Sequence, residues 1–354
     1  MSEVGEPPGI PTKSAVFRLD GLDALRGLLA LGVAAYHLSV WFGVFPSGSQ
    51  ANMALAKLGN YGVAAFFLLS GCLRFRLSPW EKIARQGLGR CYLKRYLRLA
   101  PIFYLAVSFN LIFGLGMGPG PSWRMAAENF TLTFGAFHPN HALVTGGWYV
   151  GLVALCFAAY PALAWAQAKV GPLVTFAVFA ALLAWSLPAT LYTVPQAPQW
   201  ERFHAYVRPG NQLFLLAGGG LLGVLHSRLA WRPQPWLAAA AILGAVALLL
   251  WNNPRFYDHF AVLTGWLRYR YLGLVAVIVF AAALWTPPPG LLGRALGHLG
   301  AWSYGIYLLH PFLHHLVARR FEGRTAFLLA FTLSILVGAA AERWIERPLA
   351  KLAG

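Results

Sequence analysis

The sequence predicts an all-α integral membrane protein: a polytopic helical bundle of about ten transmembrane helices, with no soluble domain. Three observations predict it. Of 354 residues, 58% are hydrophobic and only 11% charged, whereas a water-soluble domain carries roughly 25% charged residues. Apolar runs of the length that crosses a hydrocarbon core recur along the whole chain, and mean hydropathy is +0.57. None of these runs alternates polar with apolar residues as a barrel strand would. Backbone groups in lipid must bond internally, so helices remain.

In order, the runs fall near 25–45, 58–73, 99–116, 147–166, 171–187, 211–227, 235–251, 271–286, 299–318 and 325–341. The first holds a lone histidine, His37, among apolar residues. The second is short, and is expected to tilt or to lengthen into its flanks. Between it and the third lies the strongest orientation signal. Arg74, Arg76, Lys82, Arg85, Arg90, Lys94, Arg95 and Arg98 stand there against a single acid, Glu81. The positive-inside bias places this stretch in the cytoplasm. With two runs before it and eight after, both termini are then cytoplasmic too. Arg228, Arg232, Arg294, Arg343, Arg347 and Lys351 agree with that orientation, whereas Arg319, Arg320 and Arg324 oppose it.

The longest loops, near 117–146 and 188–210, carry Trp123, His138, His141, Trp200 and His204. Loops on a rigid scaffold often bind ligands, but Trp and Tyr at such places also serve as interface anchors. Residues 1–17, acidic and proline-rich, read as a disordered cytoplasmic tail without the layout of a cleaved signal peptide. Residues 18–354 read as one membrane domain without internal repeats. The net charge of +17 sits mainly between apolar runs, where topology explains it, so nucleic acid is not expected as a partner. Cys72, Cys91 and Cys156 have no metal-ligand spacing and suggest no disulfide framework. No metal is expected.

The first run carries the chemistry. Arg26 lies at its entrance and His37 eleven residues on. On a helix they share a face with about 20° of offset, about 16 Å apart. One stripe thus presents a cation at the mouth and an imidazole near mid-membrane, a spacing that suits a long donor with a charged head and a reactive tip. Ionisable groups within a membrane are costly and suggest function. Histidine is also the side chain suited to accept a proton near neutral pH. The competing account has His37 bonding a neighbouring helix and Arg26 reaching lipid phosphates.

Asp23-Ala24-Leu25-Arg26-Gly27 followed by His37 resembles the opening signature of the acyltransferase-3 family of integral membrane acyltransferases. Four further stretches agree in order: Gly62-Val63 with Phe66-Phe67-Leu68-Leu69-Ser70-Gly71, Tyr92 through Pro101, Ser303 through Pro311, and Ile345-Glu346-Arg347-Pro348. Two departures stand out. Family members often carry an acid before the paired phenylalanines, where this chain has Ala64 and Ala65, and another in the fourth span, where Val153 stands.

The resemblance implies transfer of an acyl group, usually acetyl, from acyl-coenzyme A to a hydroxyl of a cell-envelope glycan or glycolipid. It implies a plasma membrane, the inner membrane in a bacterium, with acyl-CoA as co-substrate and no permanently bound cofactor. His37 is then the general base, with Arg26 beside it in the catalytic stripe. Arg95 and Arg98, at i and i+3 on one helix face, suit donor phosphates; Arg74 is a further donor contact. Ser70, Trp148 and Tyr304 are candidates to donate to the developing oxyanion, and His310 to orient the acceptor. The competing class is a membrane carrier of an envelope precursor that transfers no acyl group. Such carriers often show paired repeats with broken helices, which this sequence lacks.

Overall fold

The computed structural model describes residues 20–114, 122–191, 197–229, 233–251 and 263–352. The tail read at 1–17 lies outside these residues, as do parts of both long loops and the side chain of Arg76. The described residues form helices and connections, without a strand. The order begins α1 (Asp20–Trp41), α2 (Gln50–Leu77), α3 (Trp80–Gln86), α4 (Leu88–Phe113), α5 (Trp123–Thr131) and α6 (Phe134–Phe137). It continues through α7 (Gly147–Val170), α8 (Leu173–Leu191), α9 (Gln199–Val207), α10 (Pro209–Arg228) and α11 (Pro235–Trp251). The last are α12 (Gly265–Leu284), α13 (Leu291–Val317), α14 (Gly323–Ala341) and α15 (Arg347–Leu352), with a π-helical turn at Glu342–Glu346.

Each apolar run of the sequence falls on a long helix, but among the described residues only seven helices are long and apolar enough to cross a membrane. The others fall short for visible reasons. Helix α11 has 17 residues. Polar side chains dilute α10 (Asn211, Gln212, His226) and α13 (Arg294, His298, His310, His314, His315). The short second run starts earlier than its hydropathy suggested. Ser49 caps α2 by accepting from the Asn52 N–H, and the helix extends for 28 residues. Ile112, Leu173, Leu243, Leu328 and Leu336 point outward as large apolar side chains, the surface an integral membrane protein offers to lipid.

Helix α1 lies between α2 and α13; α2 packs in turn on α10, and α13 on α14. Close approach of α1 and α13 requires glycine. A Cβ at Gly27 would sit 2.6 Å from the Leu299 carbonyl carbon, backbone that cannot step aside. Small residues at such crossings are how helices associate in lipid. Gly27→Val is therefore expected to prevent recovery of monodisperse protein on size-exclusion chromatography. Gly244→Val, at a position facing open space, should elute as the parent does.

Buried cations brace the rest of the bundle. Arg268 on α12 donates to Thr190 Oγ1 at 3.0 Å and to the Asn211 carbonyl, and Thr190 donates to Asn211 Oδ1 at 3.1 Å. Lys57 donates to the Leu249 carbonyl at 2.8 Å and lies 4.5 Å from the Tyr271 ring centroid. Away from water such partners are what make a charge tolerable.

Candidate functional site

Arginines converge where α1, α2, α4 and α13 meet. A cavity of about 150 Å³ is lined by Arg26, Arg74, Arg95 and Arg98, with Ser70, Tyr149, Tyr304 and Glu346 among its other walls. Arg74, Arg95 and Arg98 thus line one cavity from two helices, and Arg26 joins them from a third. Arg26 donates through Nε and Nη2 to the Gly300 carbonyl, at 3.1 and 2.9 Å, and pairs with Asp23 at 3.2 Å. The glycine contact between α1 and α13 makes that carbonyl reachable. Arg95 donates to Ser78 Oγ at 2.8 Å, and Arg74 lies 4.3 Å from the Phe157 ring centroid. Buried Arg74 Nε and Glu346 Oε1 have no hydrogen-bond partner. Groups left unsatisfied beside a cavity are sites a ligand can satisfy. Arg26 also lines a wider cavity of about 570 Å³ with Arg294 and His298.

His37 does not line the four-arginine cavity. It borders a second chamber of about 310 Å³, with Tyr36, Asn60, Asn110, Trp148, Tyr206 and Tyr307. The stripe of Arg26 and His37 implied one tunnel joining imidazole and arginines; the structure corrects this to two chambers that share one wall residue, Tyr307. The physical reason is an aromatic partition. Tyr307 donates to the Gly146 carbonyl at 2.9 Å, and its ring centroid lies 5.7 Å from Phe66 and 5.8 Å from Tyr149.

At the wall of the second chamber His37 is one of a histidine pair, its partner His310 buried behind it. His37 Nδ1 and His310 Nε2 are 2.9 Å apart, though 273 positions separate them in the chain. His310 Nδ1 lies 3.1 Å from the Ile306 carbonyl, an oxygen that only accepts, so Nδ1 carries the proton. His310 Nε2 is then the acceptor for His37 Nδ1–H, which leaves the lone pair of His37 on Nε2. Pro311, next in the chain, offers no N–H to the Tyr307 carbonyl four residues back, which loosens the helix one position beyond the Ile306 carbonyl that His310 uses. Trp41 stacks on both imidazoles, at 5.1 and 5.8 Å between centroids.

The other candidates divide between the chambers. Ser70 Oγ and Tyr149 OH are 3.1 Å apart on the arginine side. Tyr304 lines the same cavity, but its hydroxyl donates to the Leu99 carbonyl at 2.6 Å. Trp148 lies across the partition with His37. Sequence reasoning missed Ser78, Tyr149, Tyr307 and Glu346 as wall residues. Tyr307, one turn before His310, and Glu346, an acid beside an apolar run, carried the available signal.

The comparisons with known proteins agree with one another. A family model described as an acyltransferase domain matches residues 19–343. The chain is similar to the peptidoglycan O-acetyltransferase OatA of Listeria monocytogenes, 33% identical over 28% of this chain and 14% of that protein. It is also similar to acyltransferase MdmB of Streptomyces mycarofaciens, 23% identical over 96% of this chain and 93% of that protein. Thus it matches only a small part of the first relative and nearly the whole of the second. No solved structure matches.

Proposed function

The chain belongs to the acyltransferase-3 family of acyltransferase domains, and from that premise we propose that it moves an acyl group, acetyl in the first instance, from acyl-coenzyme A to a hydroxyl of a cell-envelope glycan or glycolipid. As an acyltransferase of the membrane it needs a donor, an acceptor and a base. On this reading the nucleotide binds at the mouth, where Arg26, Arg294 and His298 border the wider cavity. The four-arginine cavity is small for a whole coenzyme, since ligand pockets usually run to about 300–1,000 Å³. It takes the slender thioester arm, with Arg74, Arg95 and Arg98 toward the phosphates where that arm leaves the nucleotide.

The observation that carries the proposal is the chain of contacts from His37 through His310 to the Ile306 carbonyl, from which a free lone pair on His37 Nε2 follows. His37 Nε2 takes the proton of the acceptor hydroxyl, and that oxygen attacks the thioester carbonyl. The carbon–sulfur bond breaks, coenzyme A leaves as thiolate, and the proton on His37 returns to sulfur. Ser70 and Tyr149 supply hydroxyls toward the developing oxyanion. Tyr307 must turn for thioester and imidazole to meet. Trp148, Tyr206 and Tyr36 give the acceptor flat apolar surfaces, and Asn60, Asn110 and Asn140 give it polar ones. The orientation belongs to the same proposal: plasma membrane, both termini and the arginine cavity on the cytoplasmic side.

The test is direct. Purified protein given acetyl-coenzyme A and a panel of envelope glycans is expected to release free thiol and yield an acetylated product detected by mass spectrometry. Translocation of a glycan precursor in proteoliposomes without thiol release would replace the enzyme by a carrier.

A further inference from the structure

A cluster beside the His37 chamber, itself lining neither cavity, has the donor set of a metal centre. Glu128 on α5, His138 after α6 and His141 in the following 3-10 turn offer ligand atoms that all lie within 4.8 Å of one another. His141 Nδ1 is 2.7 Å from Glu128 Oε2, and His138 Nδ1 is 3.2 Å from Oε1. The imidazoles stack in parallel, 4.6 Å between centroids and 13° between planes. One feature is poorly explained by hydrogen bonding alone. His138 Nδ1 is buried and, despite its distance to Oε1, makes no hydrogen bond. Both rings turn Nδ1 toward the same carboxylate, so the three side chains gather their ligand atoms at one place.

We propose that Glu128, His138 and His141 bind a borderline transition-metal dication of the Zn²⁺ class. Two imidazole nitrogens and a carboxylate are a donor set zinc accepts with water as the fourth ligand. Bonds of about 2.0–2.2 Å separate such ligand atoms by about 3.4 Å. The cluster presents its own within 4.8 Å of one another, so a small inward shift of the side chains completes the site. Arg124 is the competitor. It donates to Glu128 Oε1 at 2.9 Å and lies 3.4 Å from His138 Nε2. Its side chain is 60% exposed, so it is free to swing into water when a dication arrives.

The fold builds this convergence. Leu132 ends α5 in the left-handed region, φ 59°, the one non-glycine residue to do so among the described residues. The chain reverses there and lays His138 and His141 back over Glu128. Asn129, next to the ligand, donates to the His141 carbonyl at 2.8 Å and accepts from the Leu143 N–H at 3.1 Å. The segment held this way, Pro139 through Gly146, lines the His37 chamber and supplies the carbonyl that anchors Tyr307. Metal occupancy would stiffen that wall without touching reacting atoms.

The test is zinc binding, which is independent of acyl transfer. Full-length protein without a histidine tag, stripped with chelator in detergent, is titrated with Zn²⁺ against a chromophoric competitor. One zinc per chain is expected. Glu128→Gln and His141→Asn should each weaken binding by roughly tenfold or more. Arg124→Ala, at an exposed side chain and compatible with folding, should tighten it. Wild-type protein that takes up no saturable zinc would overturn the proposal. So would a Glu128→Gln or His141→Asn chain that binds as the parent does, or an Arg124→Ala chain whose affinity does not rise.

Discussion

Replacing His37 with alanine is expected to lower kcat for acyl transfer by about 10²–10⁴-fold, the range that general-base catalysis supplies. The apparent KM for the donor should change little, because His37 lies across the Tyr307 partition from Arg74, Arg95 and Arg98. Thiol release at saturating donor, set beside donor binding measured separately, checks both halves. Near-normal turnover in the variant would remove His37 from the mechanism. His310 is a positioning residue on this account, since it acts through His37. His310→Gln keeps a hydrogen-bonding side chain but loses the paired ring that fixes the tautomer. It is expected to lower kcat and to shift the pH profile of kcat, whereas a purely structural role would leave that profile in place.

The second large effect falls on the donor. Arg95→Ala should raise the apparent KM for acyl-coenzyme A by about 10–100-fold, since a hydrogen bond to a charged group is worth roughly 1.5–3 kcal/mol, with a smaller change in kcat. Arg95→Lys separates recognition from topology. It preserves the charge that orients the helix but loses the planar fork held against Ser78 and Phe157. Insertion should be unchanged while KM still rises severalfold. An unaltered KM in both variants would remove Arg95 from donor recognition and leave the donor to the Arg26 and Arg294 mouth alone.

Much of the architecture was legible because lipid imposes it. Each apolar run lies on a long helix, and Arg26 and His37 share α1 as the eleven-residue spacing requires. The arginine cluster was legible for a different reason: Arg over Lys at 95 and 98 is a chemical choice that topology alone does not require. The pairing of His37 with His310 was hidden, because nothing local joins residues on α1 and α13. Lys57 and Arg268 were also opaque. Each is a charge inside a helix that a hydropathy average absorbs, and only tertiary packing reveals the carbonyls that satisfy it. The cluster at Glu128 depends on a left-handed Leu132, a residue type that gives no warning of that conformation.

The shared Tyr307 wall also bears on insulation. A protein with a well at each end risks short-circuiting ion gradients wherever the two become a continuous column of water. An edge-to-face cluster of rings around Tyr307 would close that route with side chains, which pivot individually, so that the acyl arm of the proposed donor could be admitted while hydrated ions, carrying their shells, are refused. Shortening Tyr307 would then trade selectivity for leakage, with dye release from loaded vesicles as its signature.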